Sequence, residues 1–425
     1  MRIIARHMQP RLEEALDNFR VVMLHGARQC GKSTLARLVA AQRGGTYTSL
    51  DNEATRQAAA ADPRSFLLDQ AHPLVIDEVQ LGGDRIVREV KQAVDTNPAA
   101  GRFLLTGSTN FLTVPTIGES LAGRVRLLQL WTLSEAELEG ITPPTLESWF
   151  DHRSDTPTPP NLAHQRSASR HDYMELVCRG GYPEIAALDL GVRAGWFDSY
   201  AATVIERDVV ALGDLRRRTV LPVLLEWVAA NTSGELNVQS AASRLGVDRV
   251  TFNSYLTWLE TVFLVHRLPS WSRNPSARTV RRPKIHLSDT GLAASLMGVD
   301  AAALSAPTAP ARGALLESFV VNEIARCLST SASRLRMYHY RDHRSHEVDL
   351  VIERADGAVV AAEIKATSSP NVQQLRHIAW LRDHLDVVSP GAFRAGILFH
   401  TGDQRFTLGD RLHLRPINTL WTSNP

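Results

Sequence analysis

Lysine is nearly missing from this chain. Of its 47 basic residues only four are lysines (Lys32, Lys91, Lys284 and Lys365), and the other 43 are arginines. Each surviving lysine marks a position that arginine did not take over. Cysteine is also scarce: Cys30, Cys178 and Cys327 stand too far apart for a disulfide framework or a zinc knuckle, and a reduced, cytoplasmic setting is expected. No apolar run approaches the roughly 20 residues of a membrane helix, so no membrane span is expected. The opening stretch 1–7 is too polar for a secretion signal. Neither sign of charge dominates. A net charge of +2 neither demands nor excludes nucleic acid, because a basic face can hide within a balanced total.

What is present has the length of about three globular domains, at roughly 150 residues each. Residues 151–171 are polar, hold Pro157, Pro159 and Pro160, and lack a hydrophobic period, as a linker does. Residues 301–313, rich in Ala and Pro, form a weaker second break. The expected organisation is an α/β domain over 1–150, a mainly helical domain over 172–300, and a return to strands and helices over 314–425. Short apolar runs at 21–24, 74–76 and 103–105 read as buried strands of a parallel sheet.

The first of these strands runs into Gly26, Ala27, Arg28, Gln29, Cys30, Gly31, Lys32, Ser33 and Thr34, which fits G-x-x-x-x-G-K-[ST]. Such a loop turns its amides onto phosphate oxygens. Lys32 would reach the β- and γ-phosphates of ATP, the Ser33 hydroxyl would ligate Mg²⁺, and the helix from Lys32 would aim its N-terminus at the anion. Cys30 reads as spacing filler open to thiol reagents. The second apolar run ends in Asp77 and Glu78, two carboxylates at the tip of a buried strand, which is costly unless they have partners or a task. Asp77 would hold Mg²⁺ through water, and Glu78 would polarise the attacking water. The third run ends in Thr106, Gly107, Ser108 and Thr109, and Ser108 would lie beside the γ-phosphate.

With residues 26–34, 75–80, 105–108 and 121–124, the chain resembles the AAA-type P-loop ATPases. More narrowly it resembles a prokaryotic family that pairs such an ATPase with a C-terminal nuclease-like domain. The resemblance runs on through residues 180–184, 206–208 and 288–292. It implies an ATP hydrolase in which Arg124 stands near the γ-phosphate or at a subunit boundary; a plain surface arginine is the alternative. It also makes a homo-oligomer plausible without setting its order.

In the middle, residues 238–245 read as a short helix broken at Gly246. Asp248 can cap a second helix from Arg249, and a strand follows to Leu268. This is the order of a winged helix. Thr251, Asn253 and Ser254 would lie on its exposed face, and Trp271, Arg273, Arg278, Arg281, Arg282 and Lys284 would form a basic wing suited to DNA phosphates. A helical hairpin that only packs domains or subunits is the alternative.

Near the end, two alternating runs flank Asp356-Gly357 and read as a β-hairpin. With a three-residue loop, Asp349 falls opposite Glu363 and Glu347 opposite Lys365, and Lys365 shares the face of Glu363. This looks like the D…E-x-K signature of the restriction-endonuclease-like superfamily. The resemblance implies that Asp349 and Glu363 bind Mg²⁺, Lys365 assists the reaction, Glu317 is the upstream acid, and Gln373 or Gln374 is a further polar member. A solvated, salt-bridged hairpin and a nuclease fold without activity stay open as alternatives. His339, His343 and His346 have helix-like zinc spacing but sit in a strand and turn. The expected function is therefore Mg²⁺-dependent ATP hydrolysis coupled to DNA binding and metal-dependent DNA cleavage. The alternative is a nucleotide-gated sensor or scaffold whose last domain only binds a partner.

Overall fold

A computed structural model describes residues 3–68, 70–109, 121–142, 145–151, 168–209 and 218–422. The centre of the expected first linker, 152–167, lies outside the described residues.

The first region is built on a five-stranded sheet of β1 (Val21–His25), β2 (Thr46–Ser49), β3 (Leu74–Asp77), β4 (Phe103–Gly107) and β5 (Val125–Gln129). Its order is β2-β3-β4-β1-β5 and every pairing is parallel. The uniformly buried β1, β3 and β4, apolar except at their C-terminal ends, fill the middle, where a strand is covered on both faces. Alternate residues of β1 serve two cores. Val22 and Leu24 pack with the helix Lys32–Gln42, and Val21 and Met23 with the helix Gly83–Thr96. Because the strands are parallel, the ends of β1, β3 and β4 open on the same side, where a parallel sheet places its ligands.

The middle region is mostly helical. The helix Leu190–Thr203 continues as a π-helical turn over Val204–Val209. Helix Val238–Arg244, a turn at Gly246 and helix Arg249–Thr261 then appear in the order read from the sequence, with Asp248 accepting from the amides of Val250 and Thr251. The following β6 (Val265–Leu268) pairs antiparallel with β7 (Lys284–Leu287).

The last region opens with the helix Arg312–Thr330 and carries β8 (Leu335–Arg341), β9 (Glu347–Arg354), β10 (Val359–Lys365), β11 (Phe393–His400), β12 (Phe406–Thr407) and β13 (Leu412–Pro416), in the order β12-β13-β11-β10-β9-β8. The β9–β10 hairpin pairs Val359 with Glu353 and Ala362 with Leu350. One step further, that register sets Asp349 against Glu363. The expected weaker break at 301–313 begins with helix Ala301–Ser305 and ends where helix Arg312–Thr330 starts, and both helices pack on helix Arg170–Arg179. One apolar cluster runs through all three regions. Among the described residues, no helix is long and apolar enough to cross a membrane.

Candidate functional site

Local chemistry shapes the loop after β1. A Cβ on Gly26 would lie 2.1 Å from the Leu130 carbonyl oxygen, and Gly31 is left-handed at φ 99° as it leads into the helix from Lys32. Arg6 clamps the loop from outside, donating to the Cys30 carbonyl at 2.6 Å and the Trp131 carbonyl at 2.7 Å while pairing with Glu137. Inside, the buried Lys32 Nζ donates to the carbonyls of Gly26 (3.1 Å) and Ala27 (2.8 Å). His25 beside it is held neutral: burial, then the charge of Lys32, brings its imidazole down to about 4. Cys30 is fully buried with its sulfur 3.4 Å from the Leu130 carbonyl oxygen, so the expected thiol access is corrected.

The tip of β3 faces this loop. Ser33 Oγ donates to Asp77 Oδ1 at 2.9 Å, and Thr106 donates to the same oxygen. Tyr47 donates to Asp77 Oδ2 at 2.6 Å. Burial, and then its bond to Asp77, raises the Tyr47 phenol. Glu78 is a non-glycine residue held left-handed at φ 53°. Its carboxylate accepts from Gln80 and, at 3.2 Å, from Ser108 Oγ. Residues held in this region of backbone space cluster at functional sites. Lys32, Ser33, Asp77, Glu78 and Ser108, named from the sequence, thus converge. Thr34 opens toward an apolar cleft bounded by Ile3, Ile4, Leu35, Leu38, Leu133 and Pro183.

Two neighbours were not legible in advance. Arg28 pairs with Asp208 of the middle region at 2.8 Å, and Tyr200 of that region donates to the Arg28 carbonyl at 3.1 Å. Asp208 Oδ2 is buried without a hydrogen-bond partner among the described residues. For Arg124 a place near the γ-phosphate of its own chain is corrected. Arg124 precedes Val125, which pairs with Val21 at the start of β1, so it sits at the opposite end of the sheet from the phosphate loop. There it forms an ion pair with Asp95. Within one chain it does not meet the site.

A second cluster lies in the last region. Lys365 Nζ is 2.7 Å from Glu363 Oε2 and 3.6 Å from Asp349 Oδ2, and the Ile364 amide donates to Asp349 Oδ2 at 2.9 Å. Glu317 joins from the helix Arg312–Thr330. Between Glu317, Glu347 and Asp349 stands Lys284, with Nζ 2.8, 3.2 and 3.5 Å from their oxygens. Burial works against its charge, but the carboxylates, Glu317 first, outweigh that and raise the ammonium above its ordinary value. Burial, then the charge of Asp349, pushes the Glu317 carboxyl up. The expected ligands Glu317, Asp349 and Glu363 are therefore brought together, but around ammonium groups. Among the described residues, no three His, Cys, Asp or Glu side chains are disposed to hold a metal ion.

The basic wing is corrected at Trp271, Arg278 and Lys284, while Arg273, Arg281 and Arg282 are exposed. Lys284 is 2% exposed, and Arg278 makes a two-pronged pair with Glu353 at 2.7 Å on each arm. Arg281 donates to the Arg341 carbonyl at 3.2 Å, and the Trp271 indole to Glu353 at 3.1 Å. This segment faces the last region. Gln374 is occupied in a capping box with Asn371. The histidines do not converge: His339 is buried against the Arg282 carbonyl, and His346 stacks on Trp380.

Comparison with known proteins accounts for most of the chain. Residues 18–139 match the family described as AAA domain. Residues 170–303 match a domain of unknown function (DUF8612), and 312–420 another (DUF4143). The chain is 31% identical over 428 residues to the uncharacterized protein Rv2008c of Mycobacterium tuberculosis, covering 100% of this chain and 86% of that protein; the same figures hold for Mb2031c of Mycobacterium bovis. Among solved structures, the Walker-type ATPase PABY2304 of Pyrococcus abyssi aligns at 16% identity with a TM-score of 0.43, covering 69% of this chain and 96% of that one. The RuvB Holliday junction branch migration motor of Thermotoga maritima aligns at 20% identity with a TM-score of 0.29, covering 63% and 90%.

Proposed function

The chain belongs to the family of the uncharacterized mycobacterial proteins Rv2008c and Mb2031c and carries an AAA-type P-loop ATPase domain, and from that premise we propose that it is a Mg²⁺-dependent ATP hydrolase whose nucleotide state is passed to a C-terminal acid-and-lysine site. The observation that carries the reading is the direct contact of Ser33 with Asp77 in front of the buried Lys32. A hydroxyl and a carboxylate side by side are the hard oxygen donors that suit Mg²⁺, so these residues fit that ion. Lys32 would exchange its two carbonyl partners for the β- and γ-phosphates, Ser33 would ligate the metal, and Asp77 would hold it through water. The chemistry such an ion would supply there is neutralisation of the charge developing on the phosphates. Glu78, oriented by Gln80 and Ser108, takes the proton of the attacking water. The cleft beside Thr34 offers the nucleobase an apolar seat.

For the last region we propose a restriction-endonuclease-like site, with Asp349 and Glu363 as acids and Lys365 as its lysine, acting on DNA. The helix–turn–helix before it is read as a winged helix, with Asn253 exposed on its second helix. One observation favours the rival reading of a nucleotide-gated scaffold: Arg278 and Lys284 are engaged by internal carboxylates rather than turned outward. Arg124, remote from the loop of its own chain, would act only across a boundary between copies.

Phosphate release from the full-length chain tests the ATPase. Turnover is expected with Mg²⁺, is lost on chelation, and falls at least about 100-fold in Lys32→Ala, since the phosphates lose the point charge of the lysine. Parental turnover in Lys32→Ala would rule out the phosphate loop as the site.

A further inference from the structure

The C-terminal site holds one lysine more than its motif requires. Lys365 comes from β10, next to the acids. Lys284 comes from β7, in the middle region, 81 residues before Lys365 in sequence, and its side chain is only 3% exposed. It is one of four lysines in a chain that otherwise uses arginine for positive charge. Its ammonium touches carboxylates from three separate places: Glu317 on a helix, Glu347 at the start of β9 and Asp349 further along β9.

We infer that Lys284 is a built-in cation that closes the C-terminal site, filling the space among Glu317, Glu347 and Asp349 that a divalent ion would take while the middle region is docked. The inference rests on the acid-and-lysine reading given above. The two cations exclude one another. Mg²⁺ needs carboxylate oxygens at about 2.0–2.1 Å. An ammonium 2.8 to 3.5 Å from the same oxygens leaves no such position, and like charges a few ångströms apart in a buried setting repel strongly.

The docking that delivers Lys284 is itself specific. Arg278 grips Glu353 with both arms. The Trp271 amide donates to the His339 carbonyl at 2.6 Å and the His339 amide to the Pro269 carbonyl at 2.9 Å, so the segment after β6 runs along the edge of β8. His339 also bonds the Arg282 carbonyl at 2.9 Å, two residues before Lys284. Lys365 lies on the more open side, about one-third exposed, where a substrate would approach. Opening the site then requires withdrawal of β7, not entry of metal alone.

The test is Mn²⁺ binding by the full-length, nucleotide-free chain, read by electron paramagnetic resonance of the free ion and by the melting temperature. The parent is expected to bind no Mn²⁺ in the cluster. Lys284→Met is expected to gain one bound ion, with affinity at least tenfold above any the parent shows, and to lose it again when Asp349→Asn is added. Removing the ammonium leaves carboxylates uncompensated, a change large enough to unfold the variant when no metal is present. In that event Mn²⁺ raises its melting temperature or restores its fold, because an ion that binds only the folded state stabilises it. A folded Lys284→Met without added Mn²⁺ binding, or an unfolded one that Mn²⁺ does not rescue, overturns the inference. The ATPase reading survives that result. If Lys284→Met binds Mn²⁺ but cleaves no DNA, the closure stands and the nuclease reading falls.

Discussion

Asp77 receives three close hydroxyl donors, Ser33, Tyr47 and Thr106, on its two oxygens. The sequence foretold only its link to Ser33, since a P-loop serine and a strand-tip acid share a metal by motif. Tyr47 and Thr106 depend on β2 and β4 flanking β3, which no local pattern states. Removing the carboxylate strands the buried Thr106 hydroxyl, at about 1–3 kcal/mol for an unsatisfied group, and frees the partly buried Ser33 and Tyr47. Asp77→Ala is therefore expected to lower the melting temperature by several degrees and to weaken Mg²⁺-dependent ATP binding at least tenfold. Calorimetric titration with ATP, with and without Mg²⁺, checks this. An unchanged Mg²⁺ dependence would remove Asp77 from the metal site.

At the scale of elements, what could be read was what short periods and turns determine. The β9–β10 hairpin is an example: the Asp356-Gly357 turn sets the pairing, and the pairing sets Asp349 against Glu363. The direction in which the basic segment after β6 faces could not be read. A run of arginines looks the same whether it meets phosphates or the acids of another region, and Glu353 and Glu317 lie far off in sequence. The rarity of lysine was the available clue to Lys284. A similar long-range joint links the ATPase region to helix Arg312–Thr330. There the buried Glu323 pairs with Arg326 and accepts from the Glu135 amide at 3.1 Å, while Arg326 donates to Thr132 at 2.7 Å. Glu323→Ala leaves a buried guanidinium short of its main partner, a change that typically costs about 3–5 kcal/mol. A clear drop in the urea midpoint is expected. A midpoint equal to that of the parent would mean the joint contributes little.

For the whole molecule, the middle region is the shared part. It sets Asp208 against Arg28 of the phosphate loop and Lys284 among the acids of the last region, and one apolar core runs through all three. The loop and the distant cluster thus each hold an ion pair to the same region, and one apolar core lies between them. Everything in this arrangement presumes that ATP is bound and cleaved at the first site. The most direct measurement follows ATP binding and phosphate release side by side in the full-length chain and in Glu78→Gln. The parent is expected to do both. The variant is expected to bind ATP within about twofold of the parent but to release phosphate on the order of 10²–10⁴ times more slowly, the range a positioned general base contributes. Parental turnover in Glu78→Gln, or no ATP binding by the parent with Mg²⁺ present, would contradict it.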